Sequence, residues 1–183
     1  MIAIFDIETD GLYTEATKIH CISVKVDDTP TQMFASKPLS NIEGTIEEGL
    51  KLLSECDLII GHNVINFDIP TIKKIYPKWD HKECLDTLIL SRLVYPNIML
   101  QDANRKTIPP RLKGSHSLKA WGYRLRKLKG EFGGEEEQWA VLTNAMVEYC
   151  RQDAEVTYAL YEKLLKSNTP VSYTHLTLPT ITE

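Results

Sequence analysis

The sequence predicts an α/β domain with a mixed five-stranded sheet flanked by helices. Residues 2–9 form a near-continuous apolar run, which is typical of a strand buried on both faces. Further short apolar runs alternate along the chain with segments whose apolar residues recur at helical spacing. Because strands interleaved with helices pack in layers, this order predicts one α/β unit.

Five strands are expected, and each is a short apolar run. The first ends at the turn marked by Asp10 and Gly11. The short run before Gly61 is expected to be a buried strand that leads into a loop. The predicted strands are residues 2–9, 19–26, 32–36, 58–61 and 84–87.

Five helical segments are expected from apolar stripes. Ile42, Ile46, Leu50 and Leu53 form one such stripe. Pro70 falls in the first turn of another segment, where proline is tolerated. The predicted helices are residues 41–56, 68–76, 88–94, 117–128 and 135–166.

Size and composition favour one soluble domain in a reducing compartment. The chain has 183 residues, of which 43% are hydrophobic and 25% charged, with a net charge of -4. No apolar run approaches the roughly 20 residues of a membrane helix, and early acids exclude a signal peptide. The four cysteines form no C-x-x-C pair, which argues against a zinc site and a disulfide framework. We therefore expect an intracellular, cytoplasmic protein with no membrane partner.

The acids of the first strand predict a cation site. Side chains alternate along a strand, so Asp6 and Glu8 are expected on the same side. Two adjacent carboxylates repel each other and are costly to desolvate. A divalent cation between them is the simplest remedy.

A basic segment, residues 105–129, contains nine Lys or Arg and no acid. A solvated helix face would explain some of these charges. The basic run also covers the loop before the predicted helix, and this favours a surface that faces phosphates.

The last residues, 167–183, do not resemble the rest of the chain. They hold five threonines, two prolines and one charged side chain. We expect residues 1–166 to form the domain and residues 167–183 to be a tail added by cloning or read-through. A linker stub or a swapped strand is the alternative.

Three acidic segments occur in a fixed order. They are Asp6-x-Glu8, the run from His62 to Asp68 with the pattern H-N-x-x-x-F-D, and Tyr149-x-x-x-Asp153. Helical i, i+4 spacing places the last two residues on one face. Each segment alone has an ordinary explanation, such as a helix N-cap for Asp68 or a surface pair. Their combination points to a shared site.

Together these segments resemble the motifs of the DEDD 3'-5' exonucleases of the tyrosine subclass, which have a three-layer ribonuclease-H-like fold. Residues 83–93 and 114–125 resemble the proofreading domain of bacteriophage T7-type family A DNA polymerases. The resemblance covers roughly residues 1–166. It implies a phage-infected bacterial host and a polymerase module outside this chain as a partner. The alternative is a domain that acts alone.

The resemblance implies a two-metal phosphodiesterase acting on single-stranded or frayed DNA 3' ends. Asp6, Glu8, Asp68 and Asp153 would hold two Mg²⁺ or Mn²⁺ ions, because oxygen ligands suit these metals. Tyr149 would orient the attacking water, since a phenol with a pKa of about 10 is a poor base at neutral pH. The products would be nucleoside 5'-monophosphates.

The resemblance also implies contacts to the nucleic-acid strand. Leu12 would wedge against the last base, and His116 would either approach the site or serve as a hydrogen bonder at the helix start. The expected nucleic-acid-binding residues are Thr9, Leu12, Asn63, Phe67, Lys113, His116 and Arg124. Two alternatives stay open: an RNA exonuclease that contacts the 2'-hydroxyl, and a nucleic-acid-binding module without activity.

Overall fold

The computed structural model describes residues 1–127 and 139–167, and these contain one mixed five-stranded sheet. The strand order is β3-β2-β1-β4-β5. β1 pairs antiparallel with β2, and β2 antiparallel with β3, whereas β4 pairs parallel with both β1 and β5. The strands are β1 Ile2–Thr9, β2 Ile19–Val26, β3 Gln32–Ala35, β4 Leu58–Gly61 and β5 Glu83–Asp86. The predicted mixed sheet is confirmed.

The helices agree with the prediction in number and place, with two additions. The short helix α4 and a 3-10 turn at Pro110–Leu112 were not predicted, because neither is long enough to show an apolar stripe. No described helix combines the length and apolar character needed to cross a membrane. The helices are α1 Ile46–Glu55, α2 Asp68–Ile75, α3 Thr87–Val94, α4 Ile98–Asp102, α5 Leu118–Leu125 and α6 Asn144–Lys166.

Local capping sets two helix starts later than predicted. α1 begins at Ile46 and not near Asn41, because Thr45 and Glu48 form a reciprocal capping box. α6 begins at Asn144, where the Thr143 side chain accepts from the Met146 backbone N–H. The predicted residues 128, 135–138 and 168–183 lie outside the described part of the chain.

The two faces of β1 pack against different layers. Phe5 and Ile7 join the core beneath α1 and α2, whereas Ile4 packs with Ala154 of α6. Because side chains alternate along a strand, Asp6 and Glu8 share the face of Ile4. The acids of β1 therefore face α6, the helix that carries the last acidic segment.

Candidate functional site

Four carboxylates from three separate segments line one cavity of about 190 Å³. β1 supplies Asp6 and Glu8, the start of α2 supplies Asp68, and α6 supplies Asp153. Among the described residues, no Lys or Arg lines this cavity. The full lining is Asp6, Ile7, Glu8, His62, Asn63, Phe67, Asp68, Trp139, Tyr149 and Asp153.

The two acids of β1 lie close together beside a thiol. Asp6, Glu8 and Cys150 each offer a potential ligand atom, and these atoms lie within 4.8 Å of one another. The Cys150 Sγ–H donates to the Asp6 carbonyl oxygen at 3.4 Å, and burial raises the pKa of this thiol well above its usual range. Because the protonated thiol is a poor ligand, we assign Cys150 to the packing beneath the site and the carboxylates to cation binding.

The loop after β4 is shaped to bring Asp68 to β1. A Cβ at Gly61 would lie 2.0 Å from Val64 Cγ1 and 3.1 Å from the Phe5 carbonyl oxygen, so the close approach requires glycine here. Asn63 adopts a left-handed φ of 71°. Its backbone N–H donates to the buried Asp86 carboxylate at 2.9 Å, which fixes the turn.

Asp68 is held against β1, beyond the point where the pairing of β1 with β4 ends. Its Oδ1 accepts the Ile7 backbone N–H at 3.3 Å, and only 4% of the residue is exposed. Burial raises the pKa of Asp68 to about 7, and the negative charges of Asp86 and Asp153 add to this rise. A bound cation would reverse the effect, so the buried oxygen donors fit a hard divalent ion.

Tyr149 and Asp153 lie one turn apart on α6, and both line the cavity. The Tyr149 ring meets Trp139 edge to face, with ring centroids 6.2 Å apart. The His20 ring nitrogen lies 2.9 Å from the Trp139 carbonyl oxygen, and this contact anchors the tryptophan. Trp139 was missed from the sequence, because no spacing signal links it to the acidic segments.

His62 is a second lining residue that was not assigned a role, although it begins the H-N-x-x-x-F-D pattern. Its Nδ1 lies 2.9 Å from the Thr87 hydroxyl, which itself donates to the Gly61 carbonyl oxygen. The H-N-x-x-x-F-D pattern alone would have been enough to assign His62 to the site. His62 directly follows β4 and lines the cavity.

Some of the residues predicted to contact the nucleic-acid strand line the cavity, and the others lie at the end of β1 and in the turn that follows it. Asn63 and Phe67 line the cavity. Thr9 is buried, and its hydroxyl donates to the Gly11 carbonyl oxygen. Leu12 lies in the turn after β1 and is 71% exposed, so an apolar side chain is presented beyond the cavity.

The structure corrects the role expected for Arg124. Its side chain is 3% exposed and forms a two-point ion pair with the fully buried Asp102, at 3.1 and 2.6 Å. The guanidinium also lies 4.7 Å from the Trp121 ring centroid. A side chain held in this way is not available to bind a nucleic-acid strand. Sequence alone could not show that Asp102 pairs with a residue of the basic segment.

Lys113 and His116 are the other residues of the basic segment that were predicted to bind nucleic acid. Neither of them lines the cavity. Lys113 Nζ donates to the Ala103 carbonyl oxygen at 2.8 Å. His116 does not cap α5, because Ser117 is the N-cap, and its Nδ1 lies 3.0 Å from the Ser91 hydroxyl. Among the described basic residues of residues 105–127, six are exposed: Arg105, Lys106, Arg111, Lys119, Arg126 and Lys127.

Comparison with known protein sequences gives a family and two curated relatives. The RNase_H superfamily matches residues 3–165. The chain is 33% identical over 87% of its length to the DNA-directed DNA polymerase of Escherichia phage T7, and equally to that of Enterobacteria phage T3. It spans only 26% of the length of each polymerase.

Solved structures share the fold. Brucella melitensis NrnC matches with a TM-score of 0.63 and 18% identity, over 91% of this chain and 72% of that one. A further NrnC structure, with bound Mg²⁺, has a TM-score of 0.60 and the same identity and coverage. E. coli Exonuclease I in complex with a dT13 oligonucleotide matches with a TM-score of 0.58 and 13% identity, over 91% of this chain and 41% of that one.

Proposed function

Because the chain belongs to the RNase_H superfamily, we propose that it is a metal-dependent 3'-5' exonuclease. Its substrate is the 3' end of single-stranded or frayed DNA, and its products are nucleoside 5'-monophosphates. The observation that carries the proposal is the single cavity lined by four carboxylates and a tyrosine. An anionic cavity of this kind cannot accept a phosphodiester unless cations offset its charge.

Asp6, Glu8, Asp68 and Asp153 are the proposed ligands of two Mg²⁺ or Mn²⁺ ions. Their oxygen atoms suit these metals. Burial, together with the charges of Asp86 and Asp153, raises the pKa of Asp68, and this supports the binding of positive charge at the site. When bound, the ions would supply charge neutralisation at the phosphate and a more acidic water.

The chain's own residues position the reactants. Tyr149 holds the attacking water through its hydroxyl, and the edge contact with Trp139 limits rotation of its ring. Asn63 and Phe67 lie along the path of the terminal nucleotide. The exposed Leu12 side chain packs against the last base, and Thr9 supports the backbone turn beside it.

A proofreading role is the physiological part of the proposal. A mispaired terminus unpairs at lower cost than a paired one, so a site that takes single strands removes errors preferentially. The 33% identity to two phage DNA polymerases supports this role, with a polymerase module as the partner. Residues 1–166 are the proposed catalytic unit.

The test is a nuclease assay on a 3'-labelled single-stranded DNA, with Mg²⁺, with Mn²⁺ and with EDTA. We expect label release with either metal, none in EDTA, and none from Asp153→Ala. Retained release in EDTA and from the variant would contradict the proposal. A matched RNA arm separates a DNA enzyme from an RNA enzyme, because only the 2'-hydroxyl differs. Tight binding by a folded sample without turnover would indicate a binding module.

A further inference from the structure

The loop that joins β1 to β2, residues 10–18, is closed by the side chain of its first residue. Asp10 accepts the backbone N–H of Thr17 at 2.8 Å and that of Lys18 at 3.1 Å. The backbone N–H of Asp10 in turn donates to the Lys18 carbonyl oxygen at 3.4 Å. Ala16 is buried, so the loop also packs against the body of the protein. These contacts give the loop a defined shape.

Two apolar side chains are exposed in the first half of this loop. Leu12 is 71% exposed and Tyr13 is 44% exposed. The loop begins directly where β1 ends, and Glu8 of β1 lines the carboxylate cavity. Apolar side chains of this kind can press between neighbouring bases and unstack them, and an aromatic ring can also stack on a base. The pair is therefore suited to act on the end of a nucleic acid that approaches the cavity.

Lys74 of α2 holds this loop through its ammonium group. Its Nζ donates to three loop carbonyl oxygens, those of Tyr13 at 2.9 Å, Thr14 at 3.0 Å and Ala16 at 2.9 Å. The same nitrogen lies 5.7 Å from the centroid of the Tyr13 ring, within the range of a cation–π contact. An ammonium group has three N–H donors. All three are used within the loop, so Lys74 is not available to bind a phosphate.

The helix that carries Lys74 also carries a carboxylate of the site. α2 begins at Asp68, which lines the cavity, and Lys74 lies in its last turn. The loop itself extends from β1, which supplies Asp6 and Glu8 to the same cavity. Lys74 therefore ties the loop to a second segment of the site, and this fixes the exposed pair relative to the carboxylates.

We propose that Lys74 is a positioning residue that holds Leu12 and Tyr13 in place to open the last base pair of a DNA end. This inference rests on the proposed function, because a nuclease that takes a single-stranded 3' end must open a paired end before it can cut it. Lys74 does not touch the DNA. It determines the ratio of activity on paired ends to activity on single strands, because a loose loop would press less effectively between bases.

The test compares a single-stranded DNA with a duplex of the same sequence whose 3' terminus is fully paired. Lys74→Met removes the three N–H donors and keeps a side chain of similar length. We expect kcat/KM on the paired end to fall about tenfold, the scale of a lost hydrogen bond to a charged group, and kcat/KM on the single strand to change less than about twofold. Lys74→Arg should recover part of the loss, since it restores charged N–H donors.

The matched control is Lys73→Met. Lys73 is the neighbouring residue of α2, and its Nζ pairs with Asp80 at 3.4 Å. This variant removes the same charge from the same helix, so both activities should stay at their wild-type values. Equal losses on the paired end and the single strand after Lys74→Met, or no loss on either, would overturn the proposal.

A double-mutant cycle tests whether Lys74 acts through the exposed pair. The variant with both Leu12→Ala and Tyr13→Ala should itself lose activity on the paired end. If Lys74 only positions these two side chains, adding Lys74→Met to that variant should cause no further loss. A full additional loss would show that Lys74 acts elsewhere, and it would overturn the positioning role.

A measurement of unpairing without turnover separates this inference from the proposed function. A duplex with 2-aminopurine at its 3' terminus fluoresces more strongly when that base unstacks. In Ca²⁺, with gel electrophoresis to verify that the DNA stays intact, saturating wild type should raise the signal and saturating Lys74→Met should raise it less. The same signal from both proteins would overturn the positioning role. A difference between them in samples that release no nucleotide in Mg²⁺ would contradict only the catalytic proposal.

Discussion

The Asp86 carboxylate accepts the backbone N–H of Asn63 at 2.9 Å, and this bond ties the end of β5 to the loop that follows β4. The same carboxylate accepts the N–H of Ile65 at 3.3 Å and of Leu88 at 2.9 Å. Asp86 is 3% exposed. It therefore holds the loop that leads to Asp68, and it begins α3 as an N-cap.

We predict that Asp86→Ala lowers kcat about 10- to 100-fold, because residues that orient ligands contribute on this scale. Asp86→Asn keeps an acceptor for Asn63 and Leu88, so its loss should be smaller. Single-turnover kinetics on a folded sample, verified by circular dichroism, is the measurement. Asp80→Ala is the exposed control, and equal rates for all variants would contradict the role of Asp86.

Tyr149→Phe should lower kcat about 100-fold, which is the cost of a poorly placed reactant. The variant keeps the ring that packs against Trp139 but loses the hydroxyl. The free energy of unfolding, measured by urea titration, should therefore stay close to that of the wild type. Wild-type kcat in this variant would exclude a water-positioning role for the phenol.

The metal-free protein should lose stability as the pH rises through the titration of Asp68. Its pKa is about 7 in the folded chain and about 3.9 when unfolded, so the folded state holds the proton more tightly. The stabilisation is complete below about pH 4 and is lost by about pH 7. Urea unfolding in EDTA at several pH values measures this loss.

Asp68→Asn is the matched variant for that experiment. An amide keeps an acceptor for the Ile7 N–H but carries no charge, so the variant should show a flatter pH dependence and higher stability at about pH 8. Addition of Mg²⁺ should stabilise the wild type more than the variant. Identical pH profiles for the two proteins would show that Asp68 titrates normally.

Arg124→Ala should destabilise the fold by about 3–5 kcal/mol, because it leaves the charge of Asp102 buried without its partner. Although burial works to raise it, the pKa of Asp102 is held below its usual value by hydrogen bonds from Arg124 and the Gly114 N–H. Lys119→Ala, at an exposed site on the same helix, should have little effect on stability. A stable Arg124→Ala protein with weakened DNA binding would instead support the prediction that Arg124 binds the DNA strand.

Local spacing predicted the sheet and which of the acids share a face. Strand alternation determines that Asp6 and Glu8 share a face, and helical spacing determines the same for Tyr149 and Asp153. The cavity brings these pairs and Asp68 together, as expected from the three motifs. The resemblance of the three motifs to a known exonuclease family, and not their spacing, predicted that these side chains meet in one site.

The features that sequence did not predict depend on contacts between distant residues. The burial of Arg124 requires Asp102, 22 positions earlier in the chain. The contact of Trp139 with Tyr149 depends on how the chain enters α6. The start of α1 was misplaced because Ile42 extended the apolar stripe, although Thr45 and Glu48 form the capping box. Such features follow from tertiary packing, which periodicity does not encode.

The most direct test of the proposed activity identifies the product and its metal dependence together. Single-stranded DNA is incubated with the wild type or with Asp6→Asn, in Mg²⁺ or in EDTA, and the released species are identified by mass spectrometry. We predict nucleoside 5'-monophosphates from the wild type in Mg²⁺ alone. Release in EDTA, or wild-type release by Asp6→Asn, would contradict a carboxylate-held metal site.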